Sequence, residues 1–127
     1  KQIGGTAGRD TLVGTSGDDV ITGGFGADTL TGAGGADQFV FTSLRDGVDT
    51  VTDFQPGSDR VVLTRLLQAI GVTNANPIAA GYVTCKQMGS AAMIGIDPDA
   101  AGGALSRNLV LLKNQSCAVA VPGNFVF

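Results

Sequence analysis

Aspartate recurs at nine-residue intervals in the first third of the chain, each time two residues before an apolar side chain. Carboxylates are hard oxygen ligands, and Ca²⁺ takes about six to eight oxygens from carboxylates and main-chain carbonyls. Carboxylates placed side by side without a cation would repel each other. The spacing therefore predicts a site for divalent cations, with calcium as the best fit, and its expected ligands are Asp10, Asp19, Asp28 and Asp37.

The elements that must position these carboxylates follow from four consecutive units between Gly5 and Val40, namely GTAGRDTLV, GTSGDDVIT, GGFGADTLT and GAGGADQFV. Every unit has Gly at its first and fourth positions, Asp at the sixth and an apolar residue at the eighth. Gly adopts positive φ without strain, so the first six residues predict a tight turn with inward carbonyls. The last three residues predict a short strand. A flexible Gly/Asp-rich linker is the alternative, but it would need no apolar residue at every ninth position.

Two units are predicted to form one complete coil, so that the turns of alternate units stack on the same edge. Asp10 would then lie beside Asp28 on one edge, and Asp19 beside Asp37 on the other. Glycines of these turns are expected to bring main-chain carbonyls to the ions, and the candidates are Gly8, Gly17, Gly24, Gly26 and Gly35.

The units resemble the nonapeptide repeats GGxGxDxUx of RTX (repeats-in-toxin) proteins, a calcium-binding β-helix pattern. The resemblance implies an all-β fold, a parallel β-roll with two or more calcium ions held between stacked turns. The units depart from the family pattern at their second position, where Thr6, Thr15 and Ala33 stand in place of the usual Gly.

Repeat folds expose apolar ends and need a cap. Residues 48–63 alternate apolar and polar side chains around a predicted turn at residues 55–58, and we expect Val48, Val51, Phe54, Val61 and Leu63 to cover the open coil. This stretch resembles the segment that follows RTX repeats in many type I secreted proteins.

The closing segment also supplies further carboxylates. Asp46 and Asp53 are candidate ligands of a terminal site that would complete the turn carrying Asp28. Asp49 and Asp59 are expected instead to cap or to face solvent.

The remaining sequence predicts one short helix, at residues 64–70, followed by a loop over residues 72–80 and a small β structure. The predicted strands cover residues 82–86, 91–96, 108–113, 118–121 and 125–127. We therefore expect two parts, a calcium-binding β-roll at residues 1–45 and a capping β region at residues 46–127.

The capping region resembles the C-terminal target domain of RTX proteins exported by type I secretion. The resemblance rests on Asp97, Asp99 and two glycines at 102–103, on the run LVLL at 109–112 and on the terminal NFVF. It implies an uncleaved export signal, the type I secretion machinery as a partner, and a secreted, extracellular or surface location on a bacterium. Calcium would then bind after export.

Cys85 and Cys117 are the two cysteines of the chain. An even count in an extracellular chain allows a disulfide, which would tie the strand at 82–86 to the last predicted hairpin. Two buried thiols are the alternative.

Composition argues against several classes of function. The chain has no His, which removes the imidazole base and the usual zinc ligands, so we expect no enzyme. Its acidic residues are all Asp, and residues 1–59 carry a net charge of −6, where a cation would neutralise it. No basic stripe indicates nucleic acid, and no apolar run approaches the roughly 18 residues of a membrane span.

Two hypotheses remain. In the first, the chain is a non-catalytic extracellular module that folds on calcium binding after type I secretion, as the C-terminal part of a secreted protein. In the second, it is a self-assembling subunit of an extracellular filament, surface layer or matrix, joined through exposed strand edges.

Overall fold

A computed structural model describes residues 1–42, 47–73, 75–98 and 107–127. Its strands form two sheets. The first sheet contains β1 (Gln2–Gly4), β3 (Val20–Thr22), β5 (Gln38–Val40), β7 (Arg60–Val62) and β11 (Phe125–Val126), in that spatial order. The second contains, in spatial order, β2 (Thr11–Val13), β4 (Thr29–Thr31), β6 (Asp49–Val51), β10 (Arg107–Lys113), β9 (Ala91–Ile96) and β8 (Val83–Met88).

The repeats form the coil that their period predicts. Each unit contributes one three-residue strand, and successive strands alternate between the two sheets. Parallel neighbours pair in a register of 18 residues, as Leu12 with Leu30 and Ile21 with Phe39 show. The central side chains Ile21, Leu30 and Phe39 are fully buried between the sheets. The predicted all-β fold class, a parallel β-roll, is confirmed.

The closing segment extends both sheets beyond residue 45. Strand β6 pairs with β4, and β7 pairs with β5, both in parallel. The predicted apolar cover is buried at Val51, Phe54, Val61 and Leu63, whereas Val48 is exposed. One apolar core joins these side chains to those of the C-terminal strands.

The C-terminal strands add antiparallel pairing to the second sheet. Strand β9 is antiparallel to both β8 and β10, and β10 pairs in parallel with β6. Strand β11 joins the first sheet by pairing with β7.

The predicted strand at residues 118–121 is wrong. A 3₁₀ helix covers Cys117–Val119, and a second one covers Pro122–Asn124. The side chain of Ser116 accepts the backbone N–H of Ala118, which favours a turn, and Pro122 has no N–H to give to a strand.

The predicted helix is confirmed as α1 (Thr64–Ala69). Leu63 occupies the N-cap position and makes no side-chain hydrogen bond there. A second helix, α2 (Pro77–Ala80), lies where a loop is predicted. Asn76 caps it by accepting the N–H of Ala79, and proline at the first position suits a helix start. Within the described ranges, neither helix nor any other is long and apolar enough to cross a membrane.

Cys85 and Cys117 form the predicted disulfide, with their Cα atoms 5.7 Å apart. The bridge joins β8 to the 3₁₀ helix at Cys117–Val119 rather than to a hairpin, because the expected last hairpin does not form.

Candidate metal centre

The repeat aspartates form two columns, one along each edge of the roll. The backbone N–H of Asp10 donates to Oδ1 of Asp28 at 2.8 Å. On the other edge, the N–H of Asp19 donates to Oδ1 of Asp37 at 2.9 Å. The structure therefore brings together the two pairs that the repeat spacing predicts.

Both columns continue into the closing segment. Asp49 Oδ1 accepts the N–H of Asp28 at 2.8 Å, and Asp59 Oδ1 accepts the N–H of Asp37 at 2.9 Å. Both carboxylates are buried, so the expectation that they face solvent is wrong, whereas the alternative, that they cap, agrees with the backbone N–H groups they accept. The missed signal is the apolar residue two positions after each Asp, Val51 and Val61, as in the repeats.

In each of the first two turns, the second residue donates hydrogen bonds to the Asp of the same turn. The backbone N–H of Thr6 donates to Oδ2 of Asp10 at 2.6 Å, and its hydroxyl lies 3.0 Å from Oδ1. Thr15 and Asp19 repeat this arrangement, at 2.7 and 3.0 Å. The departures from the family pattern in units one and two thus supply hydrogen-bond donors to the carboxylate.

The third and fourth turns leave their carboxylates partly unsatisfied. Their second residues, Gly24 and Ala33, adopt positive φ of 80° and 63°. Among the described residues, the buried side-chain oxygens without a hydrogen-bond partner are Oδ2 of Asp28 and Oδ2 of Asp37. A buried carboxylate oxygen without a donor is costly, so each of these atoms is a place where a cation, a water or a proton would be stabilising.

The pKa values separate Asp19 from Asp28, Asp37 and Asp59. Burial raises the pKa of Asp28, and it raises the pKa of Asp37 to about 6. Burial likewise raises the pKa of Asp59. By contrast, the backbone N–H of Thr15 holds the pKa of Asp19 below its ordinary value. The hydrogen bond from Thr15 therefore stabilises the bare carboxylate of Asp19, whereas Asp28 and Asp37 have no such donor within their own turns.

The glycines let successive turns approach closely. Gly26 and Gly35 adopt φ of 91° and 80°. A Cβ added to Gly26 would lie 2.7 Å from the carbonyl oxygen of Gly8, and one on Gly35 would lie 2.5 Å from that of Gly17. Carbonyls of one turn thus face the next turn on each edge. Gly8 and Gly17 themselves do not adopt positive φ.

Asp53 lies on a different turn from the predicted one. Its Oδ1 and Oδ2 accept the N–H groups of Gly32 and Ala33, both at 2.8 Å. These residues begin the turn that carries Asp37, so the placement of Asp53 beside the turn of Asp28 is corrected. Asp46 and Asp99 lie outside the described residues.

The donor set fits calcium better than a transition metal. In the part of the chain that the structure describes, no three acidic or cysteine side chains converge on one point. An ion at Asp28 or Asp37 would therefore depend on main-chain carbonyls for most of its ligands. Ca²⁺ accepts such a set, whereas zinc prefers His and Cys; this chain has no His, and its cysteines are in a disulfide.

Comparisons with known proteins agree with this geometry. Residues 4–39 match the family of the RTX calcium-binding nonapeptide repeat, in four copies. No curated protein sequence matches the chain.

Solved structures share the fold over nearly the whole chain. The AlgE6R2 subunit from the Azotobacter vinelandii mannuronan C5-epimerase is 25% identical with a TM-score of 0.67, covering 100% of this chain and 87% of that one. The AlgE6R3 subunit is 23% identical with a TM-score of 0.63, covering 97% and 80%. The extracellular lipase LipA from Serratia marcescens is 21% identical with a TM-score of 0.59, covering 99% of this chain and 20% of the lipase. This chain therefore carries four RTX calcium-binding nonapeptide repeats, and its fold is the parallel β-roll of RTX-repeat domains.

Proposed function

We propose that this chain is a non-catalytic calcium-binding β-roll module of a secreted protein, and that it folds on binding calcium outside the cell. The observation that carries this proposal is the pair of buried oxygens without a donor, Oδ2 of Asp28 and Oδ2 of Asp37, within calcium-type repeats. Each oxygen lies in a turn approached by main-chain carbonyls, and bound calcium would supply the missing positive charge.

Metal binding would act as a folding switch. A site that exists only in the folded chain adds its binding free energy to the free energy of unfolding. Extracellular calcium modules bind at roughly 10⁻⁴ to 10⁻³ M. Calcium at ten times the dissociation constant would stabilise the fold by about 1.4 kcal/mol per site. Because small domains are marginally stable, two such sites matter for folding.

The role as a part of a larger protein is supported by the structural relatives. Two of them are subunits of an epimerase, and the third is a lipase of which this chain spans one fifth. We infer that residues 1–45 supply the calcium-binding repeats and residues 46–127 cap them and act as a type I export signal. The location would be outside a bacterial cell or on its surface.

Limited proteolysis of the whole chain tests the calcium switch. With calcium, a nonspecific protease should leave residues 5–42 intact, and with chelator or magnesium it should cut them rapidly. The double variant Asp28→Asn/Asp37→Asn should be cut at the same rate with and without calcium. Equal protection of the original chain in calcium and in chelator would contradict the proposal.

The export role needs a separate experiment. Residues 46–127 fused behind a reporter should reach the medium of a bacterium that expresses a type I secretion apparatus. A fusion that lacks the last four residues, NFVF, is the matched control and should stay in the cells. Retention of both fusions would contradict the export role without affecting calcium binding.

Self-assembly is the second candidate function, favoured by the outermost strands. Strands β1 and β2 each end a sheet of the described chain, and the side chain of Val13 on β2 is 62% exposed. An unpaired strand edge beside exposed apolar surface is a template for pairing with another copy. Gel filtration with and without calcium tests this function: particles larger than a monomer that appear only with calcium would support it, and a calcium-loaded monomer would exclude it.

A further inference from the structure

Five turns of the described chain carry a buried or half-buried Asp of the two columns together with the residue four positions before it. Three of these turns share a hydrogen bond that the other two lack. In each of the three, a backbone N–H donates to Oδ2 of the Asp four residues later. The donors are Thr6 to Asp10 at 2.6 Å, Thr15 to Asp19 at 2.7 Å and Gln55 to Asp59 at 2.9 Å. We call these closed turns.

The turns of Asp28 and Asp37 are open. The residues four positions earlier, Gly24 and Ala33, have positive φ, and Oδ2 of each Asp has no donor. The N–H of Ala33 donates instead to Oδ2 of Asp53. Among these five turns, positive φ at the second position thus accompanies an unsatisfied carboxylate.

Threonine strengthens the closed form of the first two turns. The hydroxyl of Thr15 is 3.0 Å from Oδ1 of Asp19, and it accepts the N–H of Gly17 at 3.2 Å. Thr6 makes the same contacts with Asp10 and Gly8. Hydrogen bonds to a carboxylate are stronger than those between neutral groups, so a metal ion would compete with them for the carboxylate.

We propose that calcium binds the two open turns, through Asp28 and Asp37, and that the conformation of the residue at the second turn position decides which turns bind. Thr6, Thr15 and Gln55 donate to Oδ2 of the Asp in their own turn, so that oxygen has a partner without metal. This inference rests on the proposed calcium function and assigns the ions to particular repeats. The roll would therefore need metal in its middle, between turns that satisfy their own carboxylates.

Isothermal titration of the metal-free chain with calcium chloride tests the assignment by counting ions. The original chain should bind two. Asp28→Asn and Asp37→Asn should each lose one ion, whereas Asp10→Asn and Asp19→Asn, which remove the same charge elsewhere in the same columns, should still bind two. Loss of an ion from Asp10→Asn or Asp19→Asn, or four ions in the original chain, would overturn the assignment.

A second pair of variants tests the role of the second position without removing a carboxylate. Ala33→Thr should close the fourth turn as Thr15 closes the second, and leave one ion. Ala33→Gly keeps positive φ accessible and should leave two. Amide shifts in NMR spectra would show whether the remaining ion lies at Asp28. Two ions in Ala33→Thr would overturn the proposed rule.

The calcium function and the assignment of ions to turns fail differently. If neither the original chain nor any variant binds calcium, the calcium function itself is wrong, and the assignment fails with it. If calcium binds equally through all four repeat aspartates, the function stands and only the assignment is wrong.

Discussion

The backbone N–H of Asp10 donates to Oδ1 of Asp28, 18 residues later and 2.8 Å away. One oxygen of Asp28 thus holds the preceding turn, while its other oxygen is buried without a donor. Asp37 has the same relation to Asp19 on the opposite edge. The carboxylates best placed to take a cation are therefore also the ones that join successive turns, which couples metal binding to the stacking of the roll.

Glycine at the fourth turn position should matter in unit three and not in unit one. An alanine at Gly26 would need φ near 91°, at a cost of about 1–2 kcal/mol, and its Cβ would crowd the Gly8 carbonyl. Gly8 has no positive φ, and its nearest neighbour to an added Cβ is 3.9 Å away. Denaturant unfolding in saturating calcium should show Gly26→Ala destabilised and Gly8→Ala within about 0.5 kcal/mol of the original. Equal losses would contradict the two turn conformations.

Calcium binding should weaken in mild acid because of Asp37. Burial raises its pKa to about 6, and the nearby charges of Asp59 and Asp19 add to this, while the Asp19 N–H opposes it. Protons compete with calcium for this carboxylate, so the dissociation constant of its site should rise about tenfold between pH 7.5 and pH 5. Titrations at the two pH values should show this rise for the site that Asp37→Asn removes. An unchanged constant in the original chain would contradict the burial of Asp37.

The stability of the metal-free chain should change with pH in the opposite direction and rise as the pH falls. Because the folded pKa of Asp37 is raised, its contribution to stability is fully present below its ordinary value of 3.8 and is lost as pH rises through about 6. The lowered pKa of Asp19 acts outside this window, since its contribution is present above 3.8 and is lost only as pH falls further. Chelator-treated protein should therefore show more far-UV β signal at pH 4.5 than at pH 7. A stronger β signal at pH 7 would contradict the raised pKa of Asp37.

Asp53 should act as an anchor of the fourth turn. Asp53→Ala removes the acceptor of two backbone N–H groups, those of Gly32 and Ala33, and should cost about 1–3 kcal/mol of unfolding free energy. Asp53→Asn keeps one acceptor oxygen and should cost less. Both variants should retain the full number of calcium ions in titration. Loss of an ion from Asp53→Asn would instead make Asp53 a ligand.

The disulfide should stabilise the cap without controlling metal binding. Cys85 and Cys117 are 32 residues apart, and a loop of that size corresponds to roughly 3–4 kcal/mol in the chain-entropy account. The double variant Cys85→Ala/Cys117→Ala should lose about that much unfolding free energy in calcium. Its calcium stoichiometry should equal that of the original chain, because the bridge lies in the cap. An unchanged unfolding free energy would show that the cap does not need the bridge.

The coil could be predicted from the sequence because the nine-residue unit that produces it occurs four times. An apolar residue at every ninth position determines both the 18-residue register and the pairing of Asp10 with Asp28 and Asp19 with Asp37. The closing segment breaks that spacing, since β6 and β7 pair with the roll at offsets of 21 and 22 residues. The nine-residue period therefore does not reveal Asp49 and Asp59, although each keeps the spacing to its apolar partner.

The difference between closed and open turns lies beyond the repeat pattern. Thr6 and Ala33 both replace a glycine, yet only Ala33 adopts positive φ, and its N–H is held by Asp53 from a later turn. That contact depends on how the closing segment folds back on the roll. The predicted strand at 118–121 is wrong for a similar reason. The hydrogen bond from the N–H of Ala118 to the side chain of Ser116 outweighs the strand propensity of this short apolar run.

Far-UV circular dichroism of the chelator-treated chain, titrated with calcium and with magnesium as control, is the most direct test of whether calcium folds this protein. We expect a cooperative gain of β signal at roughly 10⁻⁴ to 10⁻³ M calcium and none with magnesium. An already folded spectrum that calcium does not change would show that the apolar core and the disulfide hold the fold without metal, and would contradict the calcium switch.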